Sequence, residues 1–224
     1  MPTSPVLLVG GCPHPFHHIE PTIQHFQSVT DALGLELEVH GIFHPDDGDA
    51  EGNYSAISAE KLAQHKAVIL FTTGEGHGED VAALLEFVRN GGAIIGIHCA
   101  SDSFTSNAEW VRAIGGKFRT HPAPLDIEVE FVDGDHEITK GVEPFTIHDE
   151  LYLFADYDPA NVHLLAQTNS YTPEGEEPAP IPVAWTRSEG AGKIFYISLG
   201  HFPAAMAHPQ WQTLVQRGLR WALA

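Results

Sequence analysis

The stretch from Gly91 to Asp102 constrains the fold of this chain more than any other. Its middle, Ala93–Ile97, is a short apolar run that follows a pair of glycines and ends at polar residues. Such a run is typical of a strand buried on both faces, as in the centre of a parallel sheet. Ligands of open α/β sheets bind beyond the carboxyl ends of the strands. We therefore expect His98, the first residue after the run, to lie at a functional edge.

The rest of the chain alternates strand patterns with helical patterns. Apolar strands are predicted at Val6–Val9 and Ala67–Thr73, a more exposed one at Leu35–His40, and a helix from Pro21 to Leu33. Residues 44–57 have the composition of a surface loop. The remaining predicted elements are a helix with its apolar stripe from Val81 to Val88, a helix at Asn107–Ile114, strands at Ile127–Val132, Val162–Thr168, Pro182–Thr186 and Lys193–Leu199, and a closing helix at Pro209–Leu223. We predict one α/β domain over residues 1–224, with a doubly wound, mainly parallel sheet and an added antiparallel portion.

The charge balance excludes several partners. With 30 acidic and 11 basic residues the formal net charge is −19, so nucleic acid and anionic membrane surfaces are poor partners. No apolar run approaches the roughly 20 residues of a membrane helix. The first residues, Met1-Pro2-Thr3-Ser4, lack the basic residues and the cleavage site of a signal peptide, and we expect a cytoplasmic protein.

The two cysteines, Cys12 and Cys99, each follow a predicted strand. In a sheet of strand order 2-1-3-4-5, strands one and four are about 10 Å apart. A disulfide requires Cα atoms within about 7 Å, so we expect two thiols. Cys99 is interpreted as a small buried apolar residue.

Histidines and carboxylates collect at the ends of predicted strands. The chain has 15 histidines; His17, His98 and His201 each follow a strand, so one pocket could hold all three. His98 is either an acid/base group or ligand at the head of the sheet, or a core histidine bonded to a carbonyl. The loop histidine is assigned to His17 rather than His18 by spacing. Asp149 and Glu150 are either an acid/base pair, sugar-hydroxyl acceptors or metal ligands, or they belong to a solvated turn or to a salt bridge with Arg119. Asp102 either orients His98, binds a hydroxyl or caps a turn.

A divalent metal ion is left open as a cofactor. Neutral imidazoles suit zinc and related ions. Against this, the chain has no His-Glu-x-x-His motif, and His14-x-x-His17 is weak support. The glycine-rich segment Thr72–Gly78 lacks the spacing and the lysine of a P-loop, which excludes a nucleotide site of that type.

Several separated motifs resemble the ThuA-like (trehalose utilisation) family. They occur in the family's order and cover nearly the whole chain. These motifs are Gly96-Ile97-His98, Phe118-Arg119-Thr120-His121-Pro122, Asp149-Glu150-Leu151-Tyr152, Pro182-Val183-Ala184-Trp185, Lys193-Ile194-Phe195-Tyr196, Gly200-His201 and Arg217–Ala222. The resemblance implies a flavodoxin-like sheet of the class I glutamine amidotransferase-like superfamily and a role in carbohydrate metabolism. In that superfamily a nucleophilic cysteine occupies a Gly-x-Cys-x-Gly elbow, where this chain has Gly96-Ile97-His98-Cys99-Ala100. His98 therefore occupies the nucleophile position, and amidotransferase chemistry is not expected.

The leading hypothesis is an enzyme acting by His/carboxylate acid–base chemistry on a small sugar or keto-glycoside. The candidate catalytic residues are His98, His121, Asp149 and Glu150. The candidate substrate-binding residues are His17, Asp102, His148, Trp185 and His201, with Trp185 able to stack on a sugar ring. The alternatives are a non-catalytic sugar or metabolite binding module, and a thiol-dependent hydrolase using Cys99. Apolar residues of the last helix or of residues 151–157 leave a homodimer open.

Overall fold

A computed structural model describes residues 5–11, 16–42, 57–76 and 78–224 of the chain. Its strands are β1 (Val6–Gly11), β2 (Leu37–Ile42), β3 (Ala67–Thr72), β4 (Ala93–Ile97), β5 (Lys117–Thr120), β6 (Leu125–Phe131), β7 (Phe145–Asp149), β8 (Leu153–Ala155), β9 (His163–Thr168), β10 (Ile181–Glu189) and β11 (Gly192–Ile197). Its α-helices are α1 (Ile23–Asp31), α2 (Ala59–Leu62), α3 (Gly78–Arg89), α4 (Ala108–Ile114), α5 (Pro203–Met206) and α6 (Pro209–Leu223). A 3₁₀ helix, His98–Asp102, follows β4 directly.

One nine-stranded sheet organises the described residues, in the order β2-β1-β3-β4-β11-β10-β9-β6-β7. The first five strands in this order are parallel to one another. The other four extend the sheet in antiparallel fashion. The prediction of a doubly wound, mainly parallel sheet with an antiparallel portion is confirmed. Strands β5 and β8 form a separate antiparallel pair.

Burial explains which strands are central. Every residue of β1, β3 and β4 is buried, because helices cover both faces of the parallel half. Val6 and Leu8 of β1 pack in the core with α1 and α6, whereas Leu7 and Val9 face α3 and α4. By contrast, buried and exposed residues alternate along β7, which lies at the edge of the antiparallel half.

Element boundaries differ from the sequence predictions by a few residues. Helix α1 begins at Ile23 rather than Pro21, and β2 lies two residues later than predicted. Asn107 is the N-cap of α4, its side chain accepting from two backbone N–H groups. The closing helix spans Pro209–Leu223 as predicted. Most of the predicted loop at residues 44–57 lies outside the described residues.

The carboxyl ends of β1, β3, β4 and β11 lie side by side at one edge of the sheet. The segments that leave this edge carry His17, Thr73, His98 and His201. Among the described helices, none combines the length and apolar character needed to cross a bilayer.

Candidate active site

His98 occupies a strained elbow at the end of β4. Its φ is 43°, in the left-handed region that non-glycine residues rarely adopt, and its side chain is fully buried. The imidazole Nδ1 lies 2.6 Å from the Ser198 carbonyl oxygen and donates to it. This bond fixes the tautomer, so Nε2 carries a lone pair that faces the sheet edge.

Tyr196 and Tyr152 hold the elbow in place. The Tyr196 hydroxyl donates to the His98 carbonyl oxygen at 2.7 Å, and the Ser101 hydroxyl lies 2.8 Å from the same Tyr196 oxygen. The Tyr152 ring packs on the imidazole of His98, with centroids 3.9 Å apart. A Cβ at Gly96 would come within 2.9 Å of the Tyr196 ring, which explains the glycine before the elbow.

Two more imidazoles lie against His98. His17 also has a left-handed backbone, with φ 59°, and its Nδ1 lies 3.0 Å from the Thr73 hydroxyl. Ring centroids are 5.3 Å apart for His17 and His98, 5.0 Å for His17 and His201, and 5.2 Å for His98 and His201. The three strand ends therefore bring their histidines together, as the sequence predicted.

Glu150 completes the group. Its Oε2 lies 3.2 Å from Nδ1 of His201 and 3.5 Å from Nε2 of His98. One donor atom from each of four side chains lies within 4.8 Å of the other three. We call these side chains the His/Glu cluster: His17, His98, Glu150 and His201.

Three nitrogens of the cluster are buried and have no hydrogen-bond partner among the described residues: Nε2 of His17, Nε2 of His98 and Nδ1 of His201. Burial, together with the neighbouring His98, lowers the pKa of His17 to about 2. The same causes lower the pKa of His201 to about 4, although Glu150 opposes them. Burial alone would raise the pKa of Glu150, but the surrounding imidazoles hold it below its ordinary value. At neutral pH these two histidines are therefore neutral and Glu150 is ionised.

His121 lies at the rim of the cluster. Its side chain is 36% exposed, and its Nε2 is 3.8 Å from Oε1 of Glu150. Its Nδ1 lies 2.8 Å from the Pro122 carbonyl oxygen, which places the proton on Nδ1 and leaves a lone pair on Nε2. Phe118 and Tyr152 flank the ring at 6.0 and 6.2 Å. His121 is thus the histidine of this site that solvent and a ligand can reach most easily.

Asp149 does not act beside Glu150. It is fully buried, and its carboxylate accepts from the backbone N–H of Gly200 at 2.5 Å and of His201 at 3.2 Å. Burial raises the pKa of Asp149, while His98 and the backbone N–H groups counteract this. The expectation of an Asp149/Glu150 acid/base pair is therefore corrected: Asp149 positions the loop that carries His201.

We expect Asp149→Asn to destabilise the chain by about 1–3 kcal/mol, because the amide leaves a backbone N–H of the loop without its acceptor. Urea unfolding followed by circular dichroism measures this. The control is Asp126→Asn, whose side chain is 76% exposed on the neighbouring strand and should change stability by less than about 0.5 kcal/mol. Equal effects of the two substitutions would contradict the assigned role.

Two further predicted contacts are also corrected. Trp185 is fully buried, its Nε1 donates to the Ile114 carbonyl oxygen at 2.8 Å, and it stacks on Tyr196. It therefore cannot stack on a sugar. His148 lies on the outer face of β7 and pairs with Asp126 at 2.8 Å, away from the cluster.

Asp102 ends the 3₁₀ helix and is half-buried. Burial and the nearby Glu75 raise its pKa, and His98 is close enough to oppose that rise. It lies outside the His/Glu cluster, and its contact with substrate stays a prediction. Cys99 is fully buried. Cys12 and His14 lie outside the described residues, so the two-thiol prediction is not tested by the structure.

Sequence reasoning missed the residues that support the cluster. Thr73, Tyr196 and the carbonyl of Ser198 each hold a histidine of the site. Thr73 and Ser198 directly follow the carboxyl ends of β3 and β11, and this position in the chain could have identified them as residues of the site. The contact between Tyr196 and the His98 carbonyl joins residues about a hundred positions apart and leaves no local pattern.

A family model described as ThuA, trehalose utilisation, matches residues 8–222. The chain is also similar to solved structures. A putative ThuA-like protein from Parabacteroides merdae has a TM-score of 0.81 at 18% identity, covering 100% of this chain and 91% of its own. A second putative ThuA-like protein, from Bacteroides uniformis, has a TM-score of 0.76 at 20% identity, and the match covers 98% of this chain and 91% of that one.

More distant likeness is to a cytoplasmic protein from Salmonella typhimurium, with a TM-score of 0.63 at 10% identity, covering 97% of this chain and 98% of that one. At these identities the structural likeness concerns the fold alone. No protein with curated annotation matches the sequence.

Proposed function

We propose a function that starts from the family: this chain belongs to the ThuA (trehalose utilisation) family. The proposed function is that of an enzyme acting on a small sugar or keto-glycoside by His/carboxylate acid–base chemistry. The observation that carries the proposal is the meeting of three strand-end histidines and His121 around Glu150 at the carboxyl edge of the sheet. Clefts at this edge are where open α/β sheets bind their ligands.

His121 is the group that we assign to proton exchange with the substrate. Its Nε2 lone pair faces the Glu150 carboxylate, and its side chain is partly exposed at the rim. Imidazole is the side chain best suited to accept and return a proton near neutral pH. Glu150 stabilises the imidazolium that forms, because its Oε1 lies 3.8 Å from Nε2.

An aromatic side chain other than Trp185 is available to the sugar. Phe118, on β5, is partly exposed, and its ring lies 6.0 Å from that of His121 and 4.2 Å from that of Tyr152. Aromatic rings present an apolar face of the kind that packs against the C–H face of a sugar. We therefore propose Phe118 as the ring-stacking residue.

The net charge and the comparisons also bear on the ligand and on the cellular compartment of the enzyme. A formal charge of −19 favours a neutral sugar over nucleic acid or an anionic membrane as the ligand. We place the enzyme in the cytoplasm, in line with the description of the Salmonella typhimurium relative.

We expect His121→Gln to lower turnover of trehalose or a keto-glycoside by about 10²- to 10⁴-fold, since the variant loses its proton-transfer group. Product formation is followed by chromatography across a panel of these sugars. The matched control is His148→Gln, whose side chain is 62% exposed on the outer face of β7 and should leave turnover unchanged.

The binding-module alternative gives a different result. In that case sugar raises the melting temperature of the wild type by mass action, but no product forms with any member of the panel. A His121→Gln variant that turns over sugar at the wild-type rate also rejects the assigned mechanism.

A further inference from the structure

We propose that the His/Glu cluster is a binding site for one divalent transition-metal ion. This inference deepens the proposed function and rests on it only for the use of the ion in catalysis. It reassigns His98 and Glu150 from proton transfer to coordination, and it leaves proton exchange to His121.

The donor atoms of the cluster are already close to the spacing that one metal ion requires. Three imidazole nitrogens and one carboxylate oxygen lie within 4.8 Å of one another. Donors bound to one ion at about 2.1 Å are at most about 4.2 Å apart, so the side chains need to close in by less than about 1 Å. Small side-chain rotations supply a movement of that size.

In His17 and His98 the opposite ring nitrogen contacts a hydrogen-bonding group of the protein. The His98 Nδ1 donates to the Ser198 carbonyl oxygen, and the His17 Nδ1 lies within hydrogen-bond distance of the Thr73 hydroxyl. Metal-binding histidines nearly always use their second ring nitrogen in this way, which orients the ring and fixes the tautomer. The nitrogens left over are the ones that converge.

The converging nitrogens form no hydrogen bond within the described part of the chain. Nε2 of His17, Nε2 of His98 and Nδ1 of His201 are buried, and they neither accept a hydrogen bond from nor donate one to residues 5–11, 16–42, 57–76 or 78–224. Buried polar atoms are almost always paired, and an unpaired one in a native protein calls for an explanation. A single cation at the centre of the cluster satisfies all three.

The backbone at the site supports the same inference. His17 and His98 both have positive φ values, 59° and 43°. Such conformations persist where the surrounding structure imposes them, and they gather at ligand clamps and active sites. Here both turn an imidazole toward the same point.

The donor set selects the class of ion. Imidazole nitrogens suit zinc, copper, iron or nickel, whereas Mg²⁺ and Ca²⁺ prefer sites made of oxygen atoms. We therefore assign the site to a first-row transition metal. Within the described residues, no cysteine belongs to the cluster.

The two oxygens of Glu150 divide their roles. Oε2 faces His201 and His98, while Oε1 faces His121 at 3.8 Å. An ion held through Oε2 leaves Oε1 to orient the His121 ring. This arrangement places the proton-transfer group next to the ion without making it a ligand.

The test is a titration of the full chain, freed of metal with a chelator, with Zn²⁺ by calorimetry and with Co²⁺ by visible absorption. We expect one equivalent to bind, Mg²⁺ not to compete, and His201→Asn and Glu150→Gln to weaken binding by at least about 100-fold, more than loss of an outer-shell partner costs. Circular dichroism confirms that each variant is folded; Glu150→Gln is nearly isosteric and keeps the test valid if His201→Asn unfolds.

The matched control is His163→Asn, which removes a histidine that pairs with Asp133 and packs near His136 on another part of the surface. It should bind both ions like the wild type. Absence of saturable binding, displacement of Zn²⁺ by Mg²⁺, or loss of binding in the control instead of the cluster variants overturns the metal site. Metal binding without sugar turnover supports the site and rejects the proposed function, so the two failures are distinguishable.

Discussion

Replacing His98 with asparagine is expected to lower turnover by at least about 100-fold while leaving the chain folded. The imidazole contributes its Nε2 to the His/Glu cluster, and the shorter asparagine side chain has no ring nitrogen that could replace it. Asparagine is chosen because it tolerates the left-handed backbone that His98 adopts, φ 43°. An alanine variant would combine the loss of the imidazole with backbone strain.

The matched control for this substitution is His65→Asn. His65 is also buried and its Nδ1 also contacts a backbone carbonyl, that of Lys61, at 2.9 Å. It precedes β3 and so lies at the opposite, amino-terminal edge of the parallel strands. We expect its variant to lose stability comparably and to keep wild-type turnover per folded molecule.

Two measurements are made on each variant: turnover and metal content. If His98 is a ligand, both fall together in His98→Asn. Wild-type turnover in His98→Asn would show that the elbow histidine is a core residue bonded to a carbonyl, the alternative that the sequence left open.

The position of the site was predictable because it depends on strand order. Parallel strands end at a common edge, so residues following β1, β4 and β11 must lie near one another once the order is known. The apolar runs and the helical patterns between them indicate that order. His17, His98 and His201 could therefore be grouped from sequence.

The orientation of individual side chains was not predictable in the same way. Asp149 and Glu150 are neighbours, and sequence alone treats them as a pair. In the structure Asp149, the last residue of β7, faces the backbone N–H groups of the Gly200–His201 loop, while Glu150 faces the imidazoles. That choice depends on a contact some fifty residues away, which no local pattern records.

The prediction that Trp185 stacks on a sugar was wrong for a related reason. Tryptophan is common both in protein cores and at sugar sites, and its motif does not say which. Here β10 lies inside the sheet between β9 and β11. The indole of Trp185 packs in the core that this sheet forms with helix α4. The ring is closed in by Phe154 at 5.1 Å, Tyr157 at 5.3 Å and Tyr196 at 4.5 Å.

Trp185→Ala is accordingly expected to destabilise the chain by about 3–5 kcal/mol, the range for removing a large aromatic from a core. Two effects combine in this loss of stability. The variant leaves a cavity, and the Ile114 carbonyl loses the hydrogen bond that it accepts from the indole N–H in the wild type. Urea unfolding gives the value, and Trp221→Ala, a partly buried tryptophan on α6, should cost clearly less. If Trp185 were a sugar platform, its variant would instead keep its stability and lose sugar affinity.

The same substitution is also expected to lower turnover per folded molecule. Tyr196 both stacks on Trp185 and donates to the His98 carbonyl, so the cavity left by the indole should loosen the elbow that carries His98.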